Sequence, residues 1–133
     1  MAKIVFITGA SSGIGAACAR KFAQAGYTLL LNARSVDKLQ TLQAELQSTY
    51  HVDVQLLPFD VRDRAAAAHA LTTLPEPYQA IDILVNNAGV SESTPLEAYT
   101  EDLFDRVMDL NVKGVFNATR AASECMVARG KGV

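Results

Sequence analysis

Short apolar runs alternate with amphipathic stretches along the whole chain. Residues 3–8 predict a strand, and from Gly13 to Ala25 the residues Ile14, Cys18, Phe22 and Ala25 recur at helical spacing, with Gly26 as the stop. Residues 27–33 predict a second strand. Ser35 stands where an N-cap belongs, ahead of a helix through about Ser48. That helix carries Leu39, Leu42 and Leu46 on one face and Asp37 in its first turn, where a carboxylate suits the positive end of the dipole. A third strand spans roughly Asp53 to Phe59. The alanine-rich segment Arg62 to Leu74 reads as a helix closed by Pro75 and Pro77, and Ile81 to Val85 as a fourth strand. A long helix follows from about Thr100 to Ala128, opening with Glu101 and Asp102 and closing near Gly130.

Strand and helix alternate four times with short connections, which predicts an α/β fold: a Rossmann-type, doubly wound parallel sheet. The strands are nearly continuous apolar runs, as expected when helices cover both faces. Pro58 removes a ladder donor and belongs at an edge, and in the spatial order 3-2-1-4 the third strand is an edge. With no linker, repeat or low-complexity tract, residues 1–133 are expected to form one dinucleotide-binding unit.

Composition narrows the partners. Half of the 133 residues are hydrophobic and a fifth charged, the mix of a folded chain. A net charge of -2 offers no basic stripe, which argues against nucleic acid. No apolar run nears the roughly 20 residues of a membrane span, and the opening Met1-Ala2-Lys3-Ile4 meets glycine too soon for a signal peptide, so the expected location is cytoplasmic. Cys18 and Cys125 fall in separate helices and are expected to be buried, reduced thiols without metal spacing.

The chemistry concentrates in Thr8-Gly9-Ala10-Ser11-Ser12-Gly13-Ile14-Gly15, between the first strand and first helix. A turn that lets a pyrophosphate touch the backbone has no room for side chains, and a helix N-terminus supplies free N–H groups and about half a positive charge. The alternative is a tight turn that binds nothing; the βαβ setting favours phosphate.

The form Thr-Gly-x-x-x-Gly-Ile-Gly, Asn86-Asn87-Ala88-Gly89 after strand 4, Asp60-Val61 after strand 3 and Asn111 in the long helix together resemble the short-chain dehydrogenase/reductase family. The resemblance implies that Gly9, Ser11, Ser12, Gly13, Ile14 and Gly15 wrap the pyrophosphate and adenosine ribose. It implies that Asp60 accepts from the adenine amino group with Val61 packed nearby, that Asn87, Ala88 and Gly89 border the ribose, and that Asn86 ties neighbouring strands. Asn111 would help hold the water that links a catalytic Lys to the proton relay. Each residue has a structural alternative: an N-cap for Asp60, a strand-ending turn for the Asn-Asn-Ala-Gly run, a plain hydrogen bond to a neighbouring strand for Asn111.

The end of strand 2 selects the cofactor. An NAD site places an acid there for the ribose 2'-hydroxyl, while NADP needs a cation for its 2'-phosphate. The chain has Asn32-Ala33-Arg34, with no acid, and the Arg34 guanidinium can fork onto a phosphate. NADP(H) is therefore expected over NAD(H), the alternative for Arg34 being a solvated charge.

The family protonates the carbonyl with a Tyr whose pKa is lowered by a Lys four residues later, and polarises it with a Ser. Four places after Tyr27, Tyr50, Tyr78 and Tyr99 stand Leu31, Val54, Asp82 and Leu103, and Ser123 lies in a helix. The chain reaches Val133 where the family would begin its fifth strand. The expectation is thus the N-terminal, cofactor-binding part of an NADP-dependent reductase, inactive alone and with strand 4 an unpaired edge. A non-catalytic NADP(H) sensor and an interaction subunit completed by a partner chain are the alternatives. Two faces are open to a homo-oligomer: the long helix, as related enzymes pair, and the exposed fourth strand.

Overall fold

In the computed structural model, which describes residues 2–91 and 93–133, the sheet is built on β1 (Ile4–Ile7), whose four residues are all buried. β1 pairs in parallel with β2 (Thr28–Ala33) on one side, Val5 opposite Leu29, and with β4 (Ile83–Val85) on the other, Val5 opposite Ile83. β3 (Val54–Pro58) pairs in parallel with β2, giving the order β3-β2-β1-β4. Pro58 closes an edge strand, where its missing N–H breaks no ladder.

Alternation along β1 and β2 splits the core into two layers. Val5, Ile7, Leu29 and Leu31 face α1 (Gly13–Gln24) and α2 (Val36–Tyr50), and Leu39, Leu42 and Leu46 of α2 pack there as the spacing predicts. Ile4, Phe6 and Leu30 face α3 (Arg64–Thr72) and the helix α6 (Gly114–Arg129), meeting Leu71 and Ala122. A single-turn α4 (Glu76–Gln79), with Pro77 in its first turn, leads towards β4.

Three expectations are corrected. The buried face of α1 is Gly15, Ala16, Ala19 and Ala23, one position out of phase with the apolar series Ile14, Cys18, Phe22 and Ala25. Small residues let α1 lie close on the sheet, and Ile14 is left 76% exposed. Cys18 and Cys125 are free and only half-buried. The outer edge of β4 is not bare: the Val133 N–H donates to the Asp82 carbonyl at 2.9 Å and its carbonyl accepts from the Leu84 N–H at 2.7 Å.

Caps follow local chemistry. Asp63 caps α3, accepting from the Ala66 N–H, and Thr100 caps α5 (Glu101–Met108), accepting from the Leu103 N–H. Ser35 occupies the N-cap position of α2, but its side chain makes no capping bond. The long helix is interrupted: between α5 and α6, residues Asp109–Lys113 widen into a π-helical turn. Such a turn carries one residue more than its neighbours and often marks a site of function.

At the N-terminal end of the sheet, Asp82 joins three elements. One carboxylate oxygen accepts from the Ile4 N–H at 2.9 Å and the other from Arg129 at 3.0 Å, while Arg129 also donates to the Ile81 carbonyl. Burial pushes the Asp82 carboxyl up, but the Ile4 N–H and the Arg129 guanidinium outweigh it and hold the group below the ordinary carboxylate range. A carboxyl depressed in the folded state stabilises above its unfolded pKa of about 3.9, and that contribution is lost as pH falls through the folded value. Asp82→Ala, which strands the Ile4 N–H, is expected to cost about 1–3 kcal/mol at pH 7. In urea melts the difference between the two proteins should shrink below about pH 4.

Candidate functional site

All four strands end at one face of the sheet, and β1 lies between β2 and β4, so the order reverses beside it. A crevice at such a switch point is where doubly wound sheets bind ligands. Here the crevice measures about 440 Å³. Gly9, Ser11, Ser12 and Ile14 enter it after β1, Arg34 after β2, Asp60 and Val61 after β3, and Asn87, Ala88 and Gly89 after β4. Of the expected site residues, Gly13 and Gly15 lie outside the lining, as does Asn111, whose neighbour Leu110 takes part in it.

The glycines differ in why they are there. A Cβ on Gly15 would stand 2.2 Å from the Gly9 carbonyl oxygen and 2.5 Å from Asn87 Nδ2, so this glycine lets α1 start directly beneath the turn. Gly9 has φ +64° and faces Ala88, whose Cα would lie 2.8 Å from an added Cβ. Gly13 also has positive φ, +56°, but open space around it. Thr8, which sequence reasoning quoted without a role, is buried and locks the turn to the end of β4. Its hydroxyl oxygen accepts from the Asn87 and Ala88 N–H groups, both at 3.0 Å, and donates to the Val85 carbonyl at 3.4 Å. Asn87 answers by donating from Nδ2 to the Gly9 carbonyl at 3.0 Å.

On the opposite wall, Asp60 is not the cap of α3; that role falls to Asp63. Its carboxylate accepts from the Arg62 backbone N–H at 3.0 Å and from the Arg62 guanidinium, closest at 2.7 Å. The Arg62 hydrogen bond dominates over burial and, with the positive charge of Arg34, holds the Asp60 carboxyl below its ordinary range. The acid is therefore ionised and an acceptor at neutral pH. Arg34 is exposed at the rim, and its guanidinium makes no hydrogen bond or ion pair among the described residues. Beside it, buried Asn32 donates from Nδ2 to the Leu57 and Phe59 carbonyls, both at 2.9 Å, and so fixes the end of β3 relative to β2. An amide inside the apolar run of β2 was the signal for this tie.

Asn111 sits in the π-helical turn, half-buried. Its Nδ2 donates to the Val90 carbonyl at 2.6 Å and its Oδ1 accepts from the Val90 N–H at 2.8 Å, so the amide binds the loop after β4 rather than a strand. Asn86 likewise departs from expectation: its Nδ2 donates to Thr119 Oγ1 of α6 at 3.0 Å instead of joining strands. A helix-bound Asn86 still fixes the exit of β4.

A parallel sheet with a glycine-rich β1–α1 turn, a crevice at the switch point and helices on both faces define a Rossmann fold. The profile of the short chain dehydrogenase family matches residues 3–133, and the chain belongs to that family. It is 40% identical over 134 residues to sulfoacetaldehyde reductase 2 of Chromohalobacter salexigens, an alignment covering 99% of this chain and 52% of that protein. It is also 40% identical to the NADPH-dependent pterin aldehyde reductase of Arabidopsis thaliana, covering 99% of this chain and 54% of the relative. Among solved structures, an alcohol dehydrogenase from Thermococcus sibiricus complexed with 5-hydroxy-NADP superposes with a TM-score of 0.92 at 34% identity, over 98% of this chain and 56% of that one. The chain thus spans about half the length of the relatives it matches.

The contrast between Gly15 and Gly13 is testable. Gly15→Ala drives a Cβ into backbone and should destabilise by about 1–3 kcal/mol or more. Gly13→Ala meets only the left-handed backbone strain, about 1 kcal/mol. Thermal melts of the two variants should separate in that order.

Proposed function

We propose that this chain is the NADP(H)-binding part of a short-chain oxidoreductase that, when complete, transfers hydride between NADP(H) and a carbonyl or alcohol. The observation that carries the reading is the end of β2, where Arg34 stands at the rim of the crevice with no acid in the place that would repel a 2'-phosphate. Relatives named as NADPH-dependent support the same choice. Gly9, Ser11, Ser12, Gly13, Ile14 and Gly15 would hold the pyrophosphate and adenosine ribose against the start of α1. The ionised Asp60 would accept from the adenine amino group beside Val61, and Asn87, Ala88 and Gly89 would border the ribose. The cofactor, when bound, supplies the hydride.

Proton delivery is a separate requirement. Asn111, its amide fixed on Val90, would help hold a water of the proton relay. The 133 residues hold no Tyr-x-x-x-Lys pair to donate the proton. On this reading the isolated chain binds cofactor without turning over substrate, and residues outside it complete the enzyme.

A second copy of the chain is the partner we infer, in keeping with a soluble, cytoplasmic protein. Phe104, Met108, Val112 and Phe116 recur every four residues along α5, the π-helical turn and α6, all exposed. An apolar stripe along one helix can meet its own copy across a two-fold axis. No helix among the described residues is long and apolar enough to cross a membrane.

Fluorescence titration of the 133-residue chain should give a Kd for NADPH roughly 10- to 100-fold lower than for NADH, as a charge-assisted fork on one phosphate supplies. Arg34→Ala should bring the two constants together; equal constants in the unaltered chain would sink the reading. The same preparation should leave NADPH unoxidised in the presence of aldehydes, and measurable turnover would refute the claim that it is inactive alone. Light scattering should return twice the chain mass, falling to one copy in the Phe104→Glu, Phe116→Glu double variant.

A further inference from the structure

Asp60 stands between two hollows. In front of it lies the crevice, and behind it a second hollow of about 910 Å³, lined by Asp60, Arg62, Lys113, Phe116 and Asn117 among others. Asp60 borders open space on both sides, so its position depends on how firmly the neighbouring Val61, buried at 4% exposure, is held. Two residues of the long helix hold it. Asn117 Nδ2 donates to the Val61 carbonyl at 2.8 Å, and Gly114 lies so close that a Cβ there would stand 2.8 Å from Val61 Cγ2.

Asn117 shows that this grip has been kept at a cost. The residue is 2% exposed, and its Oδ1 is a buried acceptor without a partner among the described residues. The bond from Nδ2 fixes which way the amide points, so Oδ1 cannot turn to find a donor. A residue serving only to fill the space between α6 and α3 would be more stable as a leucine, with no acceptor to desolvate. The amide is explained by what its nitrogen holds.

We propose that Asn117 and Gly114 are positioning residues for the adenine end of the cofactor: from the helix that carries Asn111, they set the depth of the crevice at Val61 and aim Asp60 at the adenine amino group. The inference rests on the NADP(H) reading above. It couples the two ends of the site through one helix, since the turn that bears Asn111 continues directly into Gly114 and Asn117. Asn117→Leu releases the Val61 carbonyl but also removes the orphaned Oδ1, so the losses offset and Tm should stay within about 4 °C of the unaltered chain. Gly114→Ala improves helix propensity and presses on Val61 from behind.

The test compares Kd values for NADPH and for its hypoxanthine analogue, in which the adenine amino group is replaced by oxygen, across the unaltered chain and both variants. We expect the unaltered chain to prefer NADPH, and each variant to bind NADPH roughly three- to tenfold more weakly while the analogue changes less. If the unaltered chain binds neither nucleotide, the cofactor reading falls and the inference with it. If the unaltered chain binds and the variants keep its affinity, or lose both nucleotides equally, the inference alone is overturned. Should Asn117→Leu fail to fold, Gly114→Ala decides by the same comparison.

Discussion

Everything at the C-terminal face of the sheet depends on how closely the β1–α1 turn lies against the end of β4. The gap is closed by backbone on backbone. Gly15 lets the first turn of α1 lie under the Gly9 carbonyl, that carbonyl accepts from Asn87, and Thr8 takes up the next two N–H groups of the same strand end. A hydroxyl has one donor and two acceptor sites, and Thr8 uses all three. Any side chain in the gap would part β1 from β4 where the sheet reverses direction, and the crevice would lose its floor.

Around this junction the protein relies on amides more than on charges. Asn32 ties the end of β3 to β2, Asn87 ties β4 to the glycine turn, Asn111 ties the long helix to the loop after β4, and Asn117 ties α6 to Val61. In each case a side-chain N–H reaches a main-chain carbonyl beyond a strand end, that of Phe59, Gly9, Val90 or Val61, and Asn32 also reaches Leu57 inside β3. A neutral amide fills that role with a smaller desolvation cost than an ion. Charge is left at the open edges: Arg62 on Asp60, and Arg34 at the rim.

The fold was legible because its strands are unbroken apolar runs and its turns carry glycine, and the strand order followed from alternation plus the edge position of Pro58. Gly9, Ser11, Ser12 and Ile14 of the glycine turn, Asp60-Val61 and the Asn87-Ala88-Gly89 run line one crevice, while Gly13 and Gly15 lie outside it. Other features were hidden. Periodicity assigned α1 the larger residues Ile14, Cys18 and Phe22, whereas the fully buried face is made of small ones, with Cys18 and Phe22 at its margin and Ile14 exposed, because hydrophobic spacing reports amphipathicity and not distance of approach. Asn117 carries no local signal, since its partner Val61 is remote in sequence, and nothing in the local pattern announced a π-helical turn around Asn111.

That turn has a geometric consequence for the whole helix. One residue beyond α-helical spacing is taken up inside one wide turn, so the numbering of α6 is offset by about 100° from a regular continuation of α5, which keeps Phe104, Met108, Val112 and Phe116 on one exposed side. The angle between the inward-facing Asn117 and the outward-facing Phe104 and Met108 is thus a property of five residues, Asp109–Lys113. Loss of a single residue there would restore a regular helix with its two halves still facing the same way, because the wide turn absorbs that residue. Length outside this segment is constrained in a way length inside it is not: a residue added to or lost from α5 or α6 themselves would turn the inner face against the outer one, whereas the wide turn already holds one residue more than regular spacing needs.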